Sequence, residues 1–540
     1  MAVPGINESM RELYRTEGEW ISDPLYRVVD RHALSNPTKL AISDQLVNLS
    51  YEDLRVMSIR LANSLEQRGF VAGDTILIQT GNSHMIPVVH LACDRAGFVF
   101  IVVSDAWRER EIRHLVELSS AKVVILPDRN DSFDFVNFVS SNRKSFSHLE
   151  LIVGMNDLSE ADVSWDELVF SDFEVGSYVP KRTDPDAPLY GMVTSGTTEL
   201  PRISLWTDNN LWSFLSGYIR AVELTANDVT LGIAPANTGA TGYVFPVLSA
   251  LLVGASSVLL KHWNPNDAIE LLIKSKATVA TAIPTQVIKM LHEDGVSEKK
   301  YSLRVFNNAG AAMPPEKAAE LEQVFKCVIH CCYGASDGGV SVLMNVNDEK
   351  EKRYNTVGSV AKLNEVRLLD PDMKDVASGE VGEIVWRGPS KSFGYLNDSQ
   401  RTDDAFWGDG WYRSGDLGRF DGEGYLWIVG RNKDVIIRGG QNISPTEIEN
   451  LIIQIDSVVE VAVVGSPDPV FGERIAAVVV SLAGRDLTLE GLLVHLKSLG
   501  LAKFKMPELL FQFDELPKSA GGKIDKVKIR EMLKELKLGN

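Results

Sequence analysis

The feature that most constrains the fold is a switching between helical and strand periodicity from Ser50 to Leu126. Ser50 and Asp53 make a capping-box pair ahead of Leu54, Met57, Leu61 and Leu65, which share one helical face, and Gly69 stops that helix. A β-rich run follows at Thr75–Gln79, then a helical pattern up to Gly97, a strand at 98–103, a helix at 107–119 with charges on one side, and a strand at Val123–Leu126. Strands separated by helices must cross over and lie parallel, so the pattern predicts an α/β fold whose sheets are covered by helices. The rhythm returns at 267–274, 278–283 and 284–292. A chain of 540 residues is too long for one compact core, so at least two domains are expected.

The pattern changes near Gly430. Gly422, Gly424 and Gly430 surround the strand-like stretch 425–429, which fits a strand entering a hinge. Downstream, Ser444, Pro445 and Glu447 read as a capping box with proline at the first helical position, and Ile448, Leu451, Ile452 and Ile455 form its buried stripe. Strands at 458–464, 474–482 and 509–513, a helix through Leu492 and Leu496, and a terminal helix complete a compact α+β unit. The expected organisation is an N-terminal domain over 1–430, a hinge at 431–433 and a small C-terminal domain over 434–540.

Composition narrows the function. Lys and Arg number 55 against 73 Asp and Glu, a formal charge of -18, and no long basic block offsets it, which argues against nucleic acid as a partner. Cys93, Cys327, Cys331 and Cys332 lack the spacing and histidine companions of a zinc site and are expected to be reduced. Residues 1–20 hold no apolar stretch of signal-peptide type, and Asp94 and Arg95 interrupt the most apolar region, so no membrane anchor and a cytoplasmic location are expected.

Five segments carry chemistry. Thr194-Ser195-Gly196-Thr197-Thr198, followed by Pro201 and Arg202, is a run of hydroxyls around a glycine with a cation nearby, suited to phosphate but not a Walker A loop. Tyr333-Gly334-Ala335-Ser336-Asp337 ends the apolar stretch 324–332, placing an aromatic ring and a carboxylate at a strand's end, where ligands of α/β sheets gather. Asp416, beside Gly415, can accept two ribose hydroxyls. Arg431, Lys433 and Asp434 crowd the domain boundary ahead of Gly439 and Gly440, and Lys518 and Lys523 flank Gly521 and Gly522 in a loop able to present an ammonium.

In this order these segments resemble the acyl-adenylate-forming superfamily of acyl-CoA synthetases, adenylation domains and luciferase-like ligases, most specifically in 410–449. The resemblance implies a large N-terminal domain of sheets and helices and a small mobile C-terminal domain. It also implies ATP and magnesium as cofactors, a small carboxylic acid as substrate, and CoA or the phosphopantetheine of a carrier protein as the thiol partner. By similarity, Thr194, Ser195, Gly196, Thr197 and Thr198 hold the triphosphate with Arg202, while Gly310, Ala311 and Ala312 line adenine opposite Tyr333 and Gly334. Asp416 and Arg431 would hold the ribose, Asp337 the magnesium, and Lys523 would be the catalytic lysine. Lys433 would be the hinge about which the Lys523 face gives way to the Gly439-Gly440 face and its acceptor tunnel. Asn237, Thr238, Tyr243, Asn308 and Ser336 are the acid-pocket candidates by position.

The chain departs from the family in three places: Glu199 follows the threonine pair where glycine is usual, Arg202 replaces a lysine, and Asp337 replaces a glutamate. A carboxylate beside a triphosphate is unfavourable unless it faces water or pairs with Arg202, so a specialised or weakened ATP site is expected. Asn237 and Thr238, small and polar where many relatives carry a histidine or an aromatic, leave open a polar or unusually small acid. Three functions stay in view: an acid–CoA ligase; adenylation with another acceptor, either a carrier protein or an amine, including nitrite-activating ligases that build diazo groups; and a catalytically silent nucleotide-binding homologue. The presence of Lys523, Asp416 and Arg431 argues against the last.

Overall fold

The computed structural model describes residues 5–127, 129–130, 133–155, 160–194, 200–236, 239–482, 484–518 and 523–538. Two large sheets organise the first part of the chain. In one, the neighbouring strands Val328–Ala335, Val305–Asn308, Val279–Ala282, Val229–Gly232, Ser256–Leu259 and Leu40–Ser43 all run parallel. In the other, Pro188–Thr194, Val99–Val103, Thr75–Gln79, Val123–Leu126 and Leu151–Gly154 do the same, and Arg202–Thr207 closes back antiparallel on Pro188–Thr194.

The helices Tyr51–Gln67 and Met85–Ala96 lie between these sheets. Leu54, Leu61, Val88 and Leu91 share one apolar core with Ile76 and Phe100 of one sheet and Ile42 and Leu259 of the other. Each such side chain removed from water contributes about 1.5–3 kcal/mol, so these two helices tie the sheets into one body. The capping box at Ser50 is formed in both directions: the Asp53 amide donates to Ser50 Oγ at 3.1 Å and the Ser50 amide to Asp53 Oδ2 at 2.9 Å.

A third, antiparallel sheet contains Glu365–Leu369, Gly382–Arg387, Trp411–Phe420 and Leu426–Arg431, and the hairpin of its last two strands sets Asp416 directly opposite Arg431. After it, Ile436–Arg438, Gln441–Ile443, Val458–Asp468, Gly472–Ser481 and Leu509–Gln512 make a sheet of their own. Ile448 and Ile452 of helix Pro445–Ile452, with Leu492 and Leu496 of Leu489–Ser498, cover one face, and Ile529 and Leu533 of Lys526–Leu538 cover the other. The large sheet-containing part and the smaller α+β part thus match the expected fold class.

Three local expectations are corrected. Ser444 precedes helix Pro445–Ile452 but makes no cap bond: its hydroxyl donates to Val429 O at 2.6 Å, and Glu447 pairs with Lys505 at 2.6 Å. The stretch 324–332 is not one strand, because helix Pro315–Phe325 ends within it and strand Val328–Ala335 begins after the left-handed Lys326 (φ 55°). The helix expected from 107 starts at Glu109, since the Trp107 carbonyl accepts hydrogen bonds from Gln79 and Arg108 instead. The four cysteines are free, Cys93 and Cys327 buried and Cys331 and Cys332 partly so.

Candidate active site

The ribose candidates meet. Asp416 Oδ1 pairs with Arg431 Nε at 2.9 Å, and the Tyr333 hydroxyl donates to Asp416 Oδ2 at 2.8 Å. Burial and the Asp416 charge push the Tyr333 pKa well up, so the phenol stays a donor. Gly334 is needed beside it: a Cβ there would stand 2.3 Å from Gly339 O, the antiparallel strand pressed against it.

Asp337, the magnesium candidate, is gripped by two phenols. Tyr412 donates to Oδ1 at 2.7 Å and Tyr395 to Oδ2, while Arg202 bears on Tyr395 by charge and hydrogen bond. Burial and the neighbouring carboxylate raise both phenol pKa values, so neither competes as an anion. Trp386 braces the arrangement, donating to Gly338 O at 2.8 Å with ring centroids 4.6 Å from Tyr412 and 5.5 Å from Tyr333. Among the described residues no three His, Cys, Asp or Glu side chains cluster as a metal cage. Magnesium needs only one or two protein carboxylates beside phosphate and water, and each Asp337 oxygen keeps a lone pair beyond its phenol, so the donor chemistry fits.

Thr194 and Arg202 face each other in register as the two stems of the phosphate-loop candidate. Ser195, Gly196, Thr197, Thr198 and Glu199 lie outside the described residues, as do Asn237 and Thr238 of the acid-pocket candidates.

Lys523 arrives from the C-terminal part. A Cβ built on Gly310 would sit 3.3 Å from Lys523 Cε and 3.7 Å from Thr241 Oγ1, so the end of the lysine lies close against this glycine, whose φ of 87° itself disfavours a side chain. Lys523 keeps solvent access, yet the surrounding walls strip enough hydration, with help from the Arg431 charge, to lower its pKa to about 8 against the pull of Asp416 and Asp337. Ala311 and Ala312 are exposed beside Gly310, and Asn308 braces their turn by donating to Ala311 O at 3.0 Å.

Two pocket candidates also tie into the scaffold. Tyr243 is wholly buried, its hydroxyl 2.7 Å from His90 Nδ1 in a cluster with Phe100 and Tyr190. The Ser336 carbonyl accepts from Ser204 and Trp206 at 2.6 and 3.1 Å. Gly439 and Gly440 stand in an exposed turn (φ 55° and 80°), Gly439 beside Phe471 of the turn before strand Gly472–Ser481, and are not gathered with Lys523. Lys433 is exposed in the short turn Asn432–Asp434. The sequence reading missed Tyr395, Tyr412 and Thr241. Tyr412 stood inside the Gly410–Asp416 motif, but only the third sheet's register reveals that it turns toward Asp337.

Residues 29–396 match the AMP-binding enzyme family and residues 447–523 match the AMP-binding enzyme C-terminal domain. The chain belongs to this family. It is similar to a medium-chain fatty-acid–CoA ligase of Escherichia coli, at 30% identity over 97% of this chain and 93% of that protein. It is also similar to a salicylyl-CoA synthase / salicylate adenylyltransferase of a Streptomyces species, at 29% identity over 96% of both chains. An anthranilate CoA ligase in complex with anthranoyl-AMP shares the fold at TM-score 0.88 with 21% identity, over 96% of this chain and 98% of that one. As a member of the AMP-binding enzymes this protein is an adenylate-forming ligase that uses ATP and magnesium. No helix among the described residues is long and apolar enough to cross a membrane.

Proposed function

We propose that the enzyme joins a compact carboxylic acid to AMP and then passes the acyl group to a thiol, that of CoA. The observation that carries this reading is the seating of Lys523 against Gly310 within electrostatic reach of Asp416, Arg431 and Asp337. One acid oxygen attacks the α-phosphorus of ATP, the bond to the β-phosphate oxygen breaks, and pyrophosphate leaves. Lys523 places a cation where negative charge builds in that step, Asp416 and Arg431 fix the ribose, and Arg202 with the 194–198 loop receives the triphosphate. Asp337 would hold magnesium, which when bound neutralises phosphate charge. In the second step the thiolate attacks the acyl carbonyl and AMP departs. Relatives named for salicylyl, indoleacetate and naphthoate substrates support a compact aryl-type acid.

For the second step the C-terminal domain, 434–540, would turn about 431–433, withdrawing Lys523 and bringing up Gly439-Gly440. The orientation described is held by contacts that such a turn must break. Ile288 of helix Pro284–Leu291 is buried in the C-terminal core, and Lys289 pairs at 3.2 Å with buried Glu460, which Lys518 approaches at 2.8 Å from the base of the Lys523 loop. Glu460→Gln is expected to slow acyl-AMP formation several-fold and leave thioester formation from supplied acyl-AMP unchanged or faster. Equal losses in both steps would reduce Glu460 to a structural group.

The reading is tested by mass spectrometry of products from ATP, magnesium and a panel of small acids, with nitrite and aryl amines alongside, each with and without CoA. An acyl-CoA supports it. An adenylate or its hydrolysis product without a CoA adduct moves the acceptor to a carrier protein or an amine, a reading that the similarity to a salicyl-AMP ligase / salicyl-S-ArCP synthetase of Mycobacterium tuberculosis keeps in play.

A further inference from the structure

The stretch 386–395 touches three walls of the candidate site at once. At its end, strand Gly394–Tyr395 pairs antiparallel with Arg202–Thr207, the outgoing stem of the phosphate-loop candidate. Trp386, Ser390 and Ser392 donate to the carbonyls of Gly338, Val340 and Asp337 at 2.8, 2.5 and 2.5 Å. The turn that carries Asp337 is thus clasped by its backbone, in addition to the two phenols on its carboxylate. Turn and clasp are in direct contact: a Cβ on Gly339 (φ 90°) would stand 2.2 Å from Ser390 O.

Between the two serines stands Lys391, 1% exposed, although lysine is almost never buried so fully unless its charge is met. Its Nζ donates to Gly410 O at 2.9 Å and lies 4.9 Å from the centroid of the Phe406 ring. These two contacts lead to Tyr412. Gly410 immediately precedes strand Trp411–Phe420, which carries Tyr412 and Asp416, and Phe406 packs on the Tyr412 ring with centroids 5.6 Å apart. Burial, with the Arg387 charge, lowers the Lys391 pKa to about 7; a neutral amine also donates an N–H, so the bond to Gly410 O holds in either form. Asp416, further along the same strand, is held by Arg431 and Tyr333, neither of which belongs to the clasp.

We infer that Lys391 is a positioning residue: from inside the clasp it fixes the Gly410–Tyr412 end of the third sheet against the Asp337 turn, and so sets the spacing between the magnesium candidate and the ribose candidates Asp416 and Arg431. A nucleotide that engages both at once spans a fixed distance, so a slack turn weakens the metal end while the ribose end keeps its grip. The inference rests on the reading of Asp337 given above and adds to it the group that holds the two halves in place.

The test is calorimetric titration of the whole chain, with no acid present, by AMP, by ATP with EDTA and by ATP with magnesium, for wild type, Lys391→Met and Asp337→Asn. Magnesium is expected to tighten ATP binding in wild type. Lys391→Met, which keeps the buried stem without the N–H, is expected to cut that gain at least fivefold while AMP affinity stays within twofold. A Lys391→Met variant with the wild-type gain overturns the inference, and so does one that weakens AMP and ATP by the same factor, the mark of a general loss of structure. If Lys391→Met is recovered unfolded, Ser392→Ala, which removes one bond of the clasp and no charge, carries the same expectation, and an unchanged gain there overturns the inference. An Asp337→Asn variant with the wild-type gain overturns the reading of Asp337 beneath it.

Discussion

Lys523→Ala is expected to lower the rate of acyl-AMP formation by about 100- to 1000-fold while ATP binding stays within a few-fold of wild type. Among the described residues the lysine meets the site through its stem against Gly310 and its charge near Arg431, Asp416 and Asp337, so the Asp416–Arg431 pair, the ribose candidates, should survive its removal. Pyrophosphate release and nucleotide titration, run on the same preparation, separate the two effects. A variant that releases pyrophosphate at the wild-type rate removes Lys523 from the chemistry. The same residue sets a pH dependence. With a pKa of about 8 in the free enzyme, the ammonium is present below that pH and is lost above it, so kcat/KM for the acid should fall as pH rises through about 8. In Lys523→Ala that limb should vanish.

The largest loss of stability is expected at Arg182, far from the chemistry. Its guanidinium, 6% exposed, donates to Asp94, to Asp208 at 2.6 Å and to Ala187 O at 2.9 Å, and both carboxylates are completely buried. Asp208 also accepts the Leu25 amide and Asp94 the Tyr26 amide, so this ion triad stitches helix Leu25–Ser35 to helices Met85–Ala96 and Asp208–Ala221. Arg182→Met leaves two carboxylates in the interior with no cation, and breaking a buried pair in this way costs about 3–5 kcal/mol. Urea denaturation checks this, with Arg182→Met/Asp208→Asn expected to recover part of the loss by deleting one of the stranded charges. A single variant within about 1 kcal/mol of wild type would show that water reaches the triad.

The α/β alternation, the change of pattern near Gly430 and the glycine-flanked acid at Asp416 were legible because each depends on local spacing. What escaped depends on contacts between segments far apart. Ser444 carried a capping signature, but a carbonyl from the preceding strand, Val429, competed for its hydroxyl and won. Tyr243 and Ser336, named for the acid pocket by position, make contacts that position does not announce: the Tyr243 hydroxyl meets His90 and the Ser336 carbonyl accepts from Trp206. The phenols on Asp337 come from residues 58 and 75 positions downstream, and no periodicity announces such a meeting. The carboxylate at 337, shorter by one methylene than the family's usual glutamate, is held by both phenols at once.

Trp386 touches both halves of that arrangement, with the ring that serves Asp416 on one side, a ring that serves Asp337 on the other, and its own N–H on the intervening Gly338 carbonyl. The enzyme therefore has an intrinsic fluorophore at the junction of its candidate sugar and cation sites. Arrival of nucleotide or divalent ion should change the emission of this indole, and subtracting the signal of Trp386→Phe would isolate it from the other nine tryptophans of the chain's 10. Loading of the active centre can then be followed by light alone, without a labelled substrate or a coupled assay.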